Sequence, residues 1–125
     1  MTCKLNKMFE MRKTFIDEMR KAKPGSYPDV IPVDLLEKDS QKFCRDLALN
    51  GVEEMFEALA HLKNWKPHKK TIDGILNREE FLEEFVDALN YFFAMFIVAG
   101  FDENDLFDSY ESKDKVIRDR LYNGY

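Results

Sequence analysis

The chain is poor in several features on which small proteins often depend. Among its 125 residues are only two cysteines, Cys3 and Cys44, and neither has a cysteine or histidine neighbour at metal-site spacing. That argues against zinc and leaves two free thiols in a reducing cytoplasm as the natural reading. The most apolar stretch, residues 89–99, falls short of the roughly 20 apolar residues that a membrane span requires and reads as a buried helix. The N-terminus lacks the continuous apolar core of a secretion signal. Positive charge is not in excess: the formal net charge is −5 and the pI about 5.1. General binding to nucleic acid needs a basic face, so that class is disfavoured. No internal repeat, low-complexity tract or strand-like alternation of any length is visible.

What the chain does have is core material and acid. Hydrophobic residues make up 45% of it, with eleven Phe and five Tyr, which argues against disorder. The length suits one domain over residues 1–125. A chain this small buries a modest fraction of its surface, which favours a homodimer or homotetramer. An acidic protein can still hold polyphosphate when its carboxylates carry divalent ions.

Apolar spacing predicts an all-α chain, a bundle of four or five helices. Leu5, Met8, Phe9, Phe15, Ile16 and Met19 mark a first helix over residues 3–22, stopped by Lys23-Pro24-Gly25. A loop with three prolines follows, with one short turn expected over residues 33–37. A second helix begins near Asp39 or Ser40 and carries Phe43, Leu47, Val52, Phe56 and Leu59 on one face down to about Lys63. Pro67 and Gly74 break the next segment. Asn77 with Glu80 resembles a capping box for a third helix that ends at Gly100. Asp102 is placed to cap a fourth, with residues 113–121 continuing it or forming a separate short helix. The tail 122–125 reads as mobile.

Two carboxylate pairs stand out. Glu54 and Glu57 lie three apart on the second helix, and Glu84 and Asp87 three apart on the third. Residues at i and i+3 share a helix face, so each pair can converge on one point. If the helices pack antiparallel, four hard oxygen donors meet, the ligand set Mg²⁺ favours. For either pair alone a solvated face is the commoner explanation. It accounts well for Glu54, Glu57 and His61, which lie opposite the apolar stripe of their helix. It accounts less well for Glu84 and Asp87. Their side of the third helix continues into Ala94, Met95 and Val98 on a segment apolar nearly all round. Carboxylates at the edge of a buried face must be paired or bind metal, and Arg78 is the one basic residue near them in sequence.

The pattern Glu54-x-x-Glu57, a gap of 26 residues, then Glu84-x-x-Asp87 resembles the signature of the all-α nucleotide pyrophosphatases, which include the MazG proteins, the dimeric dUTPases and related phage enzymes. Trp65-Lys66-Pro67-His68-Lys69 resembles the Trp-Lys-x-Trp-Lys stretch of the dimeric dUTPases, with His68 in place of the second Trp. Tyr110-x-x-Lys113, Arg120 and Gly124-Tyr125 resemble the C-terminal arm of that family, and residues 8–13 its first helix. The likeness covers most of the chain apart from residues 24–38. Departures are Arg12 where Gln is frequent, Asn90 in the slot after Asp87, and Asp114, Ile117 and Leu121 in the arm.

The resemblance implies a MazG-like or dimeric-dUTPase-like bundle, assembled as a dimer and binding two or more Mg²⁺. The metal ligands would be Glu54, Glu57, Glu84 and Asp87, with Glu57 as the base that takes the proton of water. Trp65, Lys66, Lys69, Asn90, Lys113, Arg120 and Tyr125 would contact a nucleoside triphosphate, most simply dUTP cleaved to dUMP and pyrophosphate. Another deoxynucleotide such as dCTP is the alternative substrate. A non-catalytic acidic helical adaptor is the alternative class. Each contact residue also has a plainer reading. Trp65 suits a core or subunit contact, the lysines of its loop suit solvation, and the cations of the fourth helix suit a helix C-terminus. Phe92, Phe93, Met95 and Phe96 read as core or dimer interface.

Overall fold

In the computed structural model, which describes residues 3–72, 74 and 76–124, the described chain is all-helical. Four helices follow one another: α1 (Lys4–Ala22), α2 (Lys38–Leu59), α3 (Arg78–Ala99) and α4 (Glu103–Asn123). No single described helix is long and apolar enough to cross a membrane. The fold separates into two compact units, Met1–Pro32 with Phe96–Tyr125, and Val33–Met95.

The first unit holds α1, the last residues of α3 and α4. Phe9 and Ile16 of α1 are buried two turns apart, and Ile97 and Val98 are buried with them in this unit's core. The loop after α1 is tied back to that helix. Ser26 Oγ donates to the Met19 carbonyl at 3.3 Å, and the Arg20 guanidinium donates to the Asp29 carbonyl. α3 stops at Gly100, whose φ of +97° only glycine adopts without strain. Asp102 then caps α4 with a reciprocal box. Its carboxylate accepts from the Asp105 N–H at 2.8 Å, and the Asp105 carboxylate accepts from the Asp102 N–H at 3.0 Å. α4 runs unbroken to Asn123, so residues 113–121 continue it and Tyr122 and Asn123 form its last turn. It touches α1 yet buries none of its own residues.

The second unit holds α2, the loop that follows, and most of α3. α2 starts two to three residues earlier than the sequence suggests, with Glu37 rather than Asp39 or Ser40 as its N-cap and no side-chain cap bond. Just before it, Asp34 organises the short turn that the sequence predicts over residues 33–37: its Oδ1 accepts from the Leu36 N–H at 3.0 Å. At the head of α3, Asn77 Oδ1 accepts from the Glu80 N–H at 3.1 Å, the forward half of the predicted box.

The buried positions of α2 differ from the stripe that hydrophobicity alone suggests. Cys44, Leu47, Gly51 and Ala58 are buried, with Glu54 and His61 half-buried, so the inward positions recur at alternating steps of three and four. Val52, Phe56 and Leu59 are 42%, 67% and 43% exposed instead. α3 answers with Phe81, Phe85, Ala88, Phe92 and Met95 at the same alternating steps, all buried or half-buried. At Gly51 the fit is tight: a Cβ there would sit 2.8 Å from Cε1 of Phe92. Further along, the rings of His61 and Phe81 are 6.1 Å apart. Rising numbers on α2 meet falling numbers on α3, so the two helices pack antiparallel, as the carboxylate argument requires.

Candidate metal centre

The carboxylates follow from that seam by simple rotation. Each residue turns an α-helix by about 100°. Glu57 precedes the buried Ala58 by one, Glu84 precedes Phe85, and Asp87 precedes Ala88. In two antiparallel helices that face each other, a step of one residue in the same direction turns both side chains toward the same side of the pair. Glu57, Glu84 and Asp87 therefore share one side, and Glu54 lies in the seam itself, beside them.

The geometry agrees. Glu54, Glu84 and Asp87 each offer a carboxylate oxygen, and these atoms all lie within 4.8 Å of one another. Glu54 and Glu84 are half-buried and Asp87 is exposed. Glu57, also exposed, is within side-chain hydrogen-bonding reach of Glu54. All four predicted ligands thus come together, three as a tight cluster and Glu57 at its edge. One part of the sequence reading is corrected. Glu54 and His61 do not lie opposite the buried face of α2 but on it, because the packed stripe runs through small residues, Gly51 and Ala58, that hydrophobicity undervalues.

The electrostatics show what the cluster costs. The Glu54 carboxyl is pushed above its ordinary range, first by partial desolvation, then by its hydrogen bond and charge contact with Glu57, then by the charges of Asp87 and Glu84. None of the four takes part in the ion pairs Lys13–Glu10, Arg20–Asp17, Lys42–Asp46 or Arg118–Asp114. Within the cluster like charges face each other.

The donor set suits a hard divalent cation. Two oxygens on opposite sides of Mg²⁺ stand about 4.2 Å apart, and Ca²⁺ allows somewhat more. The observed spacing of up to 4.8 Å already fits the Ca²⁺ span and needs only a small closure to meet that of Mg²⁺.

The remaining predicted contacts are placed as follows. Asn90 is half-buried one turn beyond Asp87 on α3. Trp65 is 69% exposed on the loop after α2, with Lys66 Nζ 5.4 Å from its ring, and Lys69 is exposed in the turn that follows. That loop is held by a clamp the sequence reading missed. Asn64 Nδ2 donates to the Ile72 carbonyl at 2.9 Å, and Asn64 Oδ1 accepts from the Ile72 N–H at 3.0 Å. An Asn at the foot of a long loop was the only signal of it. Lys113 and Arg120 are exposed on α4, in the first unit. Tyr125 lies outside the described residues.

No family model, curated protein or solved structure matches the chain.

Proposed function

We propose that the protein is a Mg²⁺-dependent nucleoside triphosphate pyrophosphatase whose preferred substrate is dUTP. The observation that carries this reading is the convergence of Glu54, Glu84 and Asp87 within 4.8 Å, with Glu57 beside them. The resemblance of the two carboxylate pairs, the Trp65 loop and the C-terminal arm to the dimeric dUTPases supplies the substrate class.

Glu54, Glu84 and Asp87 would hold the metal, and Glu57, at the cluster's exposed edge, would complete the set. The bound ions would neutralise phosphate charge and lower the pKa of water. Glu57 would accept the proton of the attacking water. Water and the triphosphate then give a nucleoside monophosphate and pyrophosphate. Trp65 presents an exposed ring on which a base can stack, and Lys66 and Lys69 offer charge to the phosphates. Asn90, one turn beyond Asp87 on α3, suits hydrogen bonding to base or sugar. Lys113, Arg120 and Tyr125 would grip phosphate, Arg120 with a guanidinium able to bind in bidentate fashion.

A panel of canonical and deaminated nucleotides with pyrophosphate detection tests this. The expected result is Mg²⁺-dependent release, fastest from dUTP, and its loss in Glu84→Gln, Asp87→Asn and Glu57→Gln variants that keep their helical content. Full activity in any of these variants would refute the site. A preference for dCTP would change the base assignment alone.

One observation favours a second reading. α4 buries no residue, yet Phe107, Tyr110, Ile117 and Leu121 are 55%, 73%, 48% and 69% exposed. Such a helix suits a helical adaptor that docks on a partner. An adaptor would show no thermal shift with Mg²⁺ and a nonhydrolysable nucleotide, whereas an enzyme with ligand at 100 times its dissociation constant gains about 2.7 kcal/mol.

A further inference from the structure

The first unit holds a hollow of its own, lined by none of the four clustered carboxylates. It measures about 340 Å³, at the small end of the range for ligand sites. One wall is a single face of α1, because Lys13, Ile16, Asp17 and Arg20 fall at i, i+3, i+4 and i+7. The rest comes from the end of the loop after α1 and from the corner at which α3 gives way to α4. Ile16 and Ile97 are buried and make its floor apolar, and the half-buried Ile31 and the 47% exposed Phe101 extend that surface. The walls are held in place without a ligand. Arg20 and Ser26 tie the loop to α1 through the Asp29 and Met19 carbonyls, and Gly100 lies so close to Pro32 that a Cβ would stand 2.9 Å from the proline's own. A site fixed before binding loses less conformational freedom on binding.

We propose that this hollow binds a small organic anion, one carboxylate or phosphate head on a flat apolar body of about ten non-hydrogen atoms. The charges around it select that class. Asp102 is engaged in capping α4, where its carboxylate accepts from the Asp105 N–H at 2.8 Å. Asp17 and Arg20 balance each other at 3.7 Å, and Arg20 also serves the Asp29 carbonyl. Lys13 is the cation left for a ligand. Its ion pair with Glu10 is 3.6 Å long and joins side chains 39% and 68% exposed, a geometry that contributes little and that an incoming anion can replace. The head therefore sits at Lys13 and the body lies against Ile16, Ile31, Ile97 and Phe101. A cation would be repelled by Lys13 and Arg20. A wholly apolar ligand would strip water from the Lys13 ammonium and return no partner. The inference rests on the first unit alone and not on metal binding or pyrophosphate release.

Titration of the ¹⁵N-labelled full chain in EDTA, followed by amide chemical shifts, tests the proposal. Phenylacetate and phenyl phosphate carry both head and body, inorganic phosphate the head alone and benzyl alcohol the body alone. The expected result is saturable shifts at Lys13, Ile31, Gly100 and Phe101, with a dissociation constant below roughly 1 mM for phenylacetate or phenyl phosphate. The tighter of the two identifies the head group. Inorganic phosphate and benzyl alcohol should each bind at least about tenfold more weakly, and Lys13→Gln should weaken the better probe about tenfold, with Lys13→Arg restoring it. Phe101→Ala should weaken it too, with helical content unchanged, so the test does not hang on one variant. Failure of both whole probes to saturate overturns the proposal. So does equal binding of inorganic phosphate, an unchanged affinity in Lys13→Gln, or shifts confined to the carboxylate cluster and the Trp65 loop. With metal removed, none of these outcomes bears on pyrophosphate release by that cluster.

Discussion

Glu54 concentrates the physics of the site in one side chain. It occupies a seam position between two helices, where an alanine or leucine would pack, and it faces three other carboxylates. Its pKa is raised in the folded state, so the fold binds its proton more tightly than the unfolded chain does. The stability this contributes is present below the ordinary glutamate range and is lost as pH rises through the raised value. Thermal melts in EDTA should therefore show the wild type losing stability between acid and neutral pH, and Glu54→Gln losing less of it. At neutral pH the Gln variant should melt higher than wild type without metal. Millimolar Mg²⁺ should raise the wild-type melting temperature and leave the variant nearly unmoved. A wild type insensitive to both EDTA and Mg²⁺ would contradict the cation reading.

The two cysteines differ for a related reason. Cys44 is buried in the seam of α2 and desolvation raises its thiol pKa, while Cys3 is exposed. Alkylation of the native protein at neutral pH should modify Cys3 first and Cys44 only under denaturing conditions, as peptide mapping would report.

At the scale of elements, two glycines hold the helices where they are, each for its own reason. Gly51 lets Phe92 lie against the backbone of α2. Alanine would gain about 1 kcal/mol of helix propensity, while forcing the ring aside costs about 1–3 kcal/mol. Gly51→Ala should thus be mildly destabilising and should shift the register that brings the carboxylates level, lowering Mg²⁺ affinity more than stability. Gly100 combines a positive φ with a Cβ position 2.9 Å from Pro32 Cβ, and the proline ring cannot move aside cheaply. Gly100→Ala should cost more than Gly51→Ala, by at least the roughly 1–2 kcal/mol of a non-glycine residue in that conformation, read as a lower denaturant midpoint.

At the scale of the whole molecule, the residues proposed to grip phosphate belong to a helix that holds none of the buried side chains. The buried side chains belong to α1, α2 and α3, while α4 buries none. Deleting residues 113–125 removes Lys113, Arg120 and Tyr125 and, among the described residues, no buried one. The truncated chain should keep its melting temperature within a few degrees and lose most pyrophosphate release. Unchanged turnover would remove the arm from the mechanism.

The helices were legible from local sequence because their signals are local: apolar spacing, Asp102 and Asn77 at helix starts, Gly100 at a helix end. The pairing of Glu54-x-x-Glu57 with Glu84-x-x-Asp87 was legible for the same reason, since i,i+3 spacing alone puts each pair on one face. The side of α2 that is buried was not legible. Hydrophobicity favoured Val52, Phe56 and Leu59, whereas the packed seam runs through Cys44, Leu47, Gly51, Glu54 and Ala58. Small residues win there because close helix approach rewards low bulk, a quantity that exists only once a second helix is in place. The Asn64 clamp was hidden because its partner, Ile72, lies eight residues away across a loop. The sequence by itself thus determined the helices and the residues able to bind a cation. Only the tertiary packing decided that those carboxylates share one side of a helix pair and that bulky apolar residues are left uncovered on the other, because antiparallel contact through Gly51 and Phe92 sets the rotation of both helices at once.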